Sequence, residues 1–158
     1  DQLRVYNGIY LAATKLGRKE EAAQAFNKIV DFGLAQNQLS VKFLFRPGST
    51  LFLPDPQVSG AYATWLAQIG QRATMRTTCL DITGHTSRTG PEPLNERLSL
   101  VRAQYVKQRL DAAAPALAKR TAALGKGSSE NLSGLGTDDA RDALDRRVVF
   151  KVKDCSAT

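Results

Sequence analysis

The sequence predicts an α+β domain of βαβαβ(α)β order with an α-helical hairpin in front of it. Three observations carry this. Short β-rich runs recur at Leu39–Phe45, Thr77–Thr83, Arg120–Leu124 and Val148–Val152. Stretches of helical periodicity separate the first three of these runs, and two more precede the first. Proline and glycine fall at most of the joints.

Residues 1–37 form the expected hairpin. Leu3, Tyr6, Ile9, Tyr10 and Ala13 repeat at helical spacing, and Leu16-Gly17-Arg18 makes the break. The second helix, Glu20 to about Phe32, places Ala22, Ala25, Phe26 and Ile29 on one side. Phe32–Gln38 reads as a joint, with Gly33 ending the helix. The α+β domain occupies 38–158. Its first strand, Leu39–Phe45, alternates and stops at Arg46-Pro47-Gly48. Pro54-Asp55-Pro56 fits a helix entry, and Ala61–Gln71 puts Trp65, Leu66 and Ile69 on one side. At that spacing Trp65 reads as core rather than as a sugar-stacking platform.

In the second strand, Leu80 and Ile82 share a face. A loop with two glycines and two prolines follows. Thr89 and Glu92 have capping-box spacing, and Gly90 serves equally well as a cap. The long helix from about Leu94 to Ala113 gathers Ser99, Ala103, Val106 and Leu110 on one face. Asn95 and Arg102, seven apart, lie along its edge. Pro115 ends it. After the third strand, Gly125–Gly136 is a Gly/Ser-rich loop, and Thr137–Asp145 reads as a short helix capped by Thr137.

Composition narrows the function classes. The apolar and charged fractions, 42% and 23%, are those of a globular chain, and no apolar run is long enough to span a membrane. No signal peptide is visible around Asp1. The net charge is +7. Its Lys and Arg are spread along the chain, often near acids, which argues against a nucleic-acid surface. Metal binding needs clustered ligands, and the chain has two cysteines and one histidine. GKGSS at 125–129 misses the phosphate-loop pattern. No nucleophile elbow surrounds any serine. The pairs Glu20-Glu21 and Asp138-Asp139 look like solvated helix turns. No cofactor and no catalytic activity are expected.

The pattern G-H-T-x-x-x-G followed by N-x-x-L-S-x-x-R-A-x-x-V-x-x-x-L is carried by Gly84, His85, Thr86, Gly90, Asn95, Leu98, Ser99, Arg102, Ala103, Val106 and Leu110. It resembles the peptidoglycan-binding domain of outer membrane protein A, the peptidoglycan-associated lipoprotein and flagellar stator proteins. Val41–Phe45 with Ser49 and Leu51, Gly125–Ser128 and Ala143–Val148 extend the resemblance over roughly Leu39 to Val152. It implies helices packed on a mixed sheet, and a Gram-negative periplasmic protein associated with the outer membrane or cell wall. It also implies a pocket that holds the diaminopimelate tip of a stem peptide. Thr86, Ser87, Arg88, Asn95, Leu98, Arg102 and Arg147, with Arg146 as the alternative to Arg147, are the residues it assigns there. In the family an aspartate follows the threonine and pairs with the ligand ammonium. Here Ser87 stands in that place, while Arg102 keeps the partner of the carboxylate. The resemblance makes the second and last strands antiparallel neighbours, which would bring Cys79 and Cys155 together as a disulfide; otherwise they are two separated thiols.

Tyr10–Val30 resembles one tetratricopeptide repeat. A single such unit cannot bury its apolar face alone. It is expected either to contact other envelope proteins or to form a collar against the sheet. Two functions follow. One is non-catalytic anchoring to peptidoglycan. The alternative is a degenerate domain without wall affinity, kept as an interaction or assembly module.

Overall fold

A computed structural model describes residues 2–132 and 142–155. Its centre is a four-stranded mixed sheet in the order β1-β4-β2-β3. The strands are β1 (Lys42–Leu44), β2 (Thr78–Gly84), β3 (Thr121–Gly125) and β4 (Arg147–Asp154). β4 lies antiparallel to both β1 and β2, whereas β2 and β3 are parallel. A parallel neighbour requires a long crossover. Helix α5 (Glu92–Ala113) supplies it, with a 3-10 turn at Pro115–Arg120. The remaining helices are α1 (Gln2–Lys15), α2 (Lys19–Ala35), α3 (Pro56–Ser59) and α4 (Tyr62–Thr74). The α+β class with its leading helical hairpin is therefore as the sequence predicts.

Local chemistry explains the boundaries and corrects several of them. Gly17, at φ +73°, makes the tight break between α1 and α2. Gly33 does not end α2; the helix runs on to Ala35. Gly33 is a glycine because Leu39 crosses it so closely that a Cβ would meet the Leu39 Cα at 2.9 Å. Asn37, at φ 55°, makes the reversal instead. Asp55 caps α3 by accepting from the Gln57 amide at 3.0 Å. Neither Thr89 nor Gly90 caps α5. Pro91 holds the N-cap position without a side-chain bond. The helix expected at Thr137–Asp145, with its Thr137 cap, lies mostly outside the described residues, as does the end of the preceding loop. Only a 3-10 turn at Asp142–Asp145 is described there.

The core is continuous from the hairpin to the sheet. Phe26, Ile29, Val30 and Leu34 of α2 join Phe43, Leu66, Ile69, Leu80, Val106 and Phe150 in one buried cluster. Trp65 stacks on Phe26 with ring centroids 5.3 Å apart, and its indole N–H donates to the Tyr10 hydroxyl at 2.8 Å. Arg72 of α4 grips Asp31 of α2 through two parallel hydrogen bonds of 2.8 and 2.6 Å. The sheet is closed at one end by a disulfide between Cys79 and Cys155, whose Cα atoms are 4.9 Å apart.

Helix α5 lies unusually close to the sheet because two glycines face each other across the parallel ladder. Gly84 pairs with Gly125. A Cβ on Gly84 would overlap the Ser99 carbonyl oxygen, and one on Gly125 would meet the Leu100 amide nitrogen at 2.7 Å. Both positions lie at strand ends, beside the first turns of α5. Gly84→Ala is therefore expected to destabilise the fold by about 3 kcal/mol, since the helix must lift off its seat. Urea denaturation at neutral pH checks this.

Candidate functional site

The loops leaving β1 and β2 meet the amino-terminal half of α5. Arg102 sits at their junction, fully buried. Its Nε donates to the Ser49 carbonyl at 2.8 Å, Nη1 to the His85 carbonyl at 3.0 Å and Nη2 to the Arg46 carbonyl at 2.9 Å. Phe45 lies beneath, with its ring centroid 5.3 Å from the guanidinium carbon. Arg102 thus ties the β1–α3 loop to the β2–α5 loop, with at least three of its five N–H groups engaged.

A cavity of about 100 Å³ opens beside it. Thr86, Ser87, Asn95, Leu98 and Arg102 line this cavity together with Arg146, and Gly48 and Thr89 complete the wall. That volume holds several water-sized groups. Thr86 and Ser87 reach it because β2 ends at Gly84 and the chain then turns over the start of α5. The Ser87 hydroxyl donates to the Thr89 hydroxyl at 3.3 Å. The Thr86 hydroxyl is buried and, among the described residues, has no hydrogen-bond partner.

Two residues assigned by sequence stand away from the cavity. Arg88 is exposed and donates to the Asn131 side chain at 2.9 Å. Arg147 turns to the other side of β4, where it donates to the Glu130 carbonyl at 2.9 Å and lies 3.7 Å from Asp145. Its neighbour Arg146, in the bend just before β4, lines the cavity instead.

No described carboxylate lines the cavity. Glu92 is close in sequence, but its carboxylate accepts from the Ser128 amide at 2.9 Å and the Ser128 hydroxyl at 2.5 Å. Those bonds hold the Glu92 carboxyl below its ordinary range. The Thr86 carbonyl accepts from Asn131 at 3.1 Å. Ser99, also buried, bridges helix and loop: its hydroxyl donates to the Glu96 carbonyl at 2.7 Å and accepts from the Gly127 amide at 2.8 Å. Sequence reasoning placed Ser99 on the core face without this role. A hydroxyl among apolar neighbours was the signal for it.

His85 is buried behind the cavity, its amide bonded to the Arg147 carbonyl at 2.8 Å. Burial, then the nearby Arg147 and Lys126, push its pKa down to about 4, with Asp145 opposing. The folded ring is therefore neutral at neutral pH. Below about pH 6.5 the unfolded chain binds a proton that the folded chain refuses. The stability this residue contributes falls from about pH 6.5 toward about pH 4 and levels off beneath that.

Two outcomes follow. His85 is the chain's single histidine, so its imidazole NMR signal is unambiguous. It is expected to titrate near 4, and His85→Gln should remove this part of the acid sensitivity in urea melts. Arg102→Leu strands three carbonyl oxygens, that of His85 in a buried bond and those of Ser49 and Arg46 in partly buried ones, and should cost about 3 kcal/mol, read by the same melts at pH 7.

No family model and no curated protein matches the chain. Solved structures do. The peptidoglycan-associated lipoprotein from Burkholderia pseudomallei is similar at TM-score 0.62 and 22% identity, over 71% of this chain and 89% of that one. A MotB-like protein from Desulfovibrio vulgaris is similar at TM-score 0.57 and 19% identity, over 95% of this chain and 99% of that one. The cell wall anchor of the T6SS from Pseudomonas aeruginosa gives TM-score 0.55 at 22% identity, over 80% and 95%. By this likeness the chain has the OmpA-like fold.

Proposed function

We propose that this domain binds peptidoglycan without catalysis and tethers a periplasmic envelope protein to the cell wall. The observation that carries the reading is the cavity itself. Thr86, Asn95, Leu98 and Arg102 converge on a space sized for an amino-acid tip, and the buried Thr86 hydroxyl has among the described residues no partner, a place a ligand would fill. The likeness to wall-associated solved structures supports it. In this reading a stem-peptide carboxylate enters beside Arg102 and Arg146, where two guanidinium groups favour an anion. Ser87 and Thr86 close over the ammonium end with hydroxyls alone. The helical hairpin of residues 1–37 then faces other envelope proteins.

Ser87 favours a second reading. The ammonium of a zwitterionic tip meets no described carboxylate, and Glu92 is held by Ser128. A missing partner for a desolvated charge costs about 2–5 kcal/mol. In the second reading the domain has lost wall affinity and survives as an assembly module.

Sedimentation with purified peptidoglycan sacculi separates the two. Under wall binding, the native chain co-sediments, free diaminopimelate competes, and Ser87→Asp tightens binding by about 30-fold or more. Ser87→Arg should abolish it. Native protein that stays in the supernatant while Ser87→Asp pellets would leave only the second reading. Arg102 is unsuitable for this comparison because its loss disturbs the fold.

A further inference from the structure

The cavity beside Arg102 offers an incoming nitrogen hydroxyl groups in place of an acid. Arg102 and Arg146 line it, and among the described residues no carboxylate does. The surrounding field has the same sign. Burial, then Arg147 and Lys126, keep His85 neutral behind the cavity, with Asp145 opposing. The carbonyl oxygens at hand are engaged: that of Thr86 accepts from Asn131 at 3.1 Å, and that of His85 from Arg102 at 3.0 Å. Thr86 is 2% exposed, and its hydroxyl has no partner among the described residues. Ser87 brings a second hydroxyl to the same wall. A primary ammonium carries three N–H donors and a full charge, and it favours acceptors of negative sign. A secondary amide carries one N–H and no charge, and a single hydroxyl satisfies it.

We propose that this cavity selects a carboxylate whose neighbouring nitrogen is acylated. In a cell wall that is the diaminopimelate end whose amine has been consumed in a cross-link between two stem peptides. The inference rests on the wall-binding reading above and names the form of the stem that the same site takes. The carboxylate lies beside Arg102 and Arg146, the amide N–H donates to the Thr86 hydroxyl, and Leu98 packs on the aliphatic arm. Ser87 is smaller than an acid and leaves space for the acyl carbonyl. No desolvated ammonium is then left without its partner. A domain built this way grips cross-linked wall in preference to stems whose amine is still free.

Two soluble stem tetrapeptides, both amidated at the terminal alanine and differing only in acetylation of the free diaminopimelate amine, test this by isothermal titration calorimetry. The native chain should bind the acetylated stem about tenfold or more tightly than the free-amine stem. Ser87→Asp should reverse that order. Thr86→Val should weaken the acetylated stem about fivefold and keep the fold by circular dichroism, because that hydroxyl holds no described group. This second variant keeps the test decisive if the aspartate variant unfolds. Exhaustive acetylation of sacculi should raise the amount of native chain that co-sediments and lower that of Ser87→Asp. Equal or tighter binding of the free-amine stem by the native chain overturns the inference; if that chain still co-sediments with sacculi, wall binding stands without it. A native chain that sediments with neither untreated nor acetylated sacculi sinks both. Peptides of unrelated sequence with a free C-terminus that bind as tightly as the acetylated stem also overturn it, and point to a protein carboxylate instead.

Discussion

A buried guanidinium bound to three main-chain carbonyls organises this molecule's functional end. A charge out of water is tolerable only where polar groups replace its hydration. Arg102 meets that condition with the carbonyls of Arg46, Ser49 and His85, and with the face of Phe45. Two loops with no ladder between them are thereby fixed to one helix. The candidate site exists because of that bond set, and the same bond set limits how much of Arg102 remains for a ligand. An arginine that reads as a ligand clamp is first a structural tie.

Close approach makes the tie possible. Gly84 and Gly125, paired across the parallel strands, let α5 press its backbone onto the sheet ends. Ser99 then reaches the Gly127 amide, and Glu92 reaches Ser128. These contacts hold the loop after β3 against the helix and engage the Glu92 carboxylate, which also accepts from the cavity-lining Asn95 side chain at 3.5 Å. The outcome is a cavity lined by two arginines and no described acid.

The helical hairpin is joined to the sheet by the same kind of directional chemistry. Stacking of Trp65 on Phe26, the Tyr10 hydroxyl on the indole, and the Arg72–Asp31 fork tie α1 and α2 to α4. Its apolar face continues the domain's core, so the hairpin buries against α4 rather than standing apart. Between α1 and the start of β1 this packing leaves an apolar groove.

By itself the sequence determined the element types and their order. Apolar residues at periods of 3.6 and 2 are local signals, and Gly17, Pro47, Asp55 and Pro115 punctuate them through backbone restrictions that need no tertiary partner. The spacing of Thr86, Asn95, Leu98 and Arg102 was legible too, because a strand end and a helix edge have fixed geometry. Tertiary structure alone decided the rest. Gly33 signalled a helix end in one dimension but serves a crossing by Leu39 in three. Arg146 and Arg147 are indistinguishable in sequence, and only the folded chain, where β4 begins at Arg147, puts one at the cavity and the other against Glu130. The partners of Arg102 lie 53, 56 and 17 residues earlier in the chain. Hydrogen bonds over such separations follow from how the sheet closes, and no local pattern encodes them.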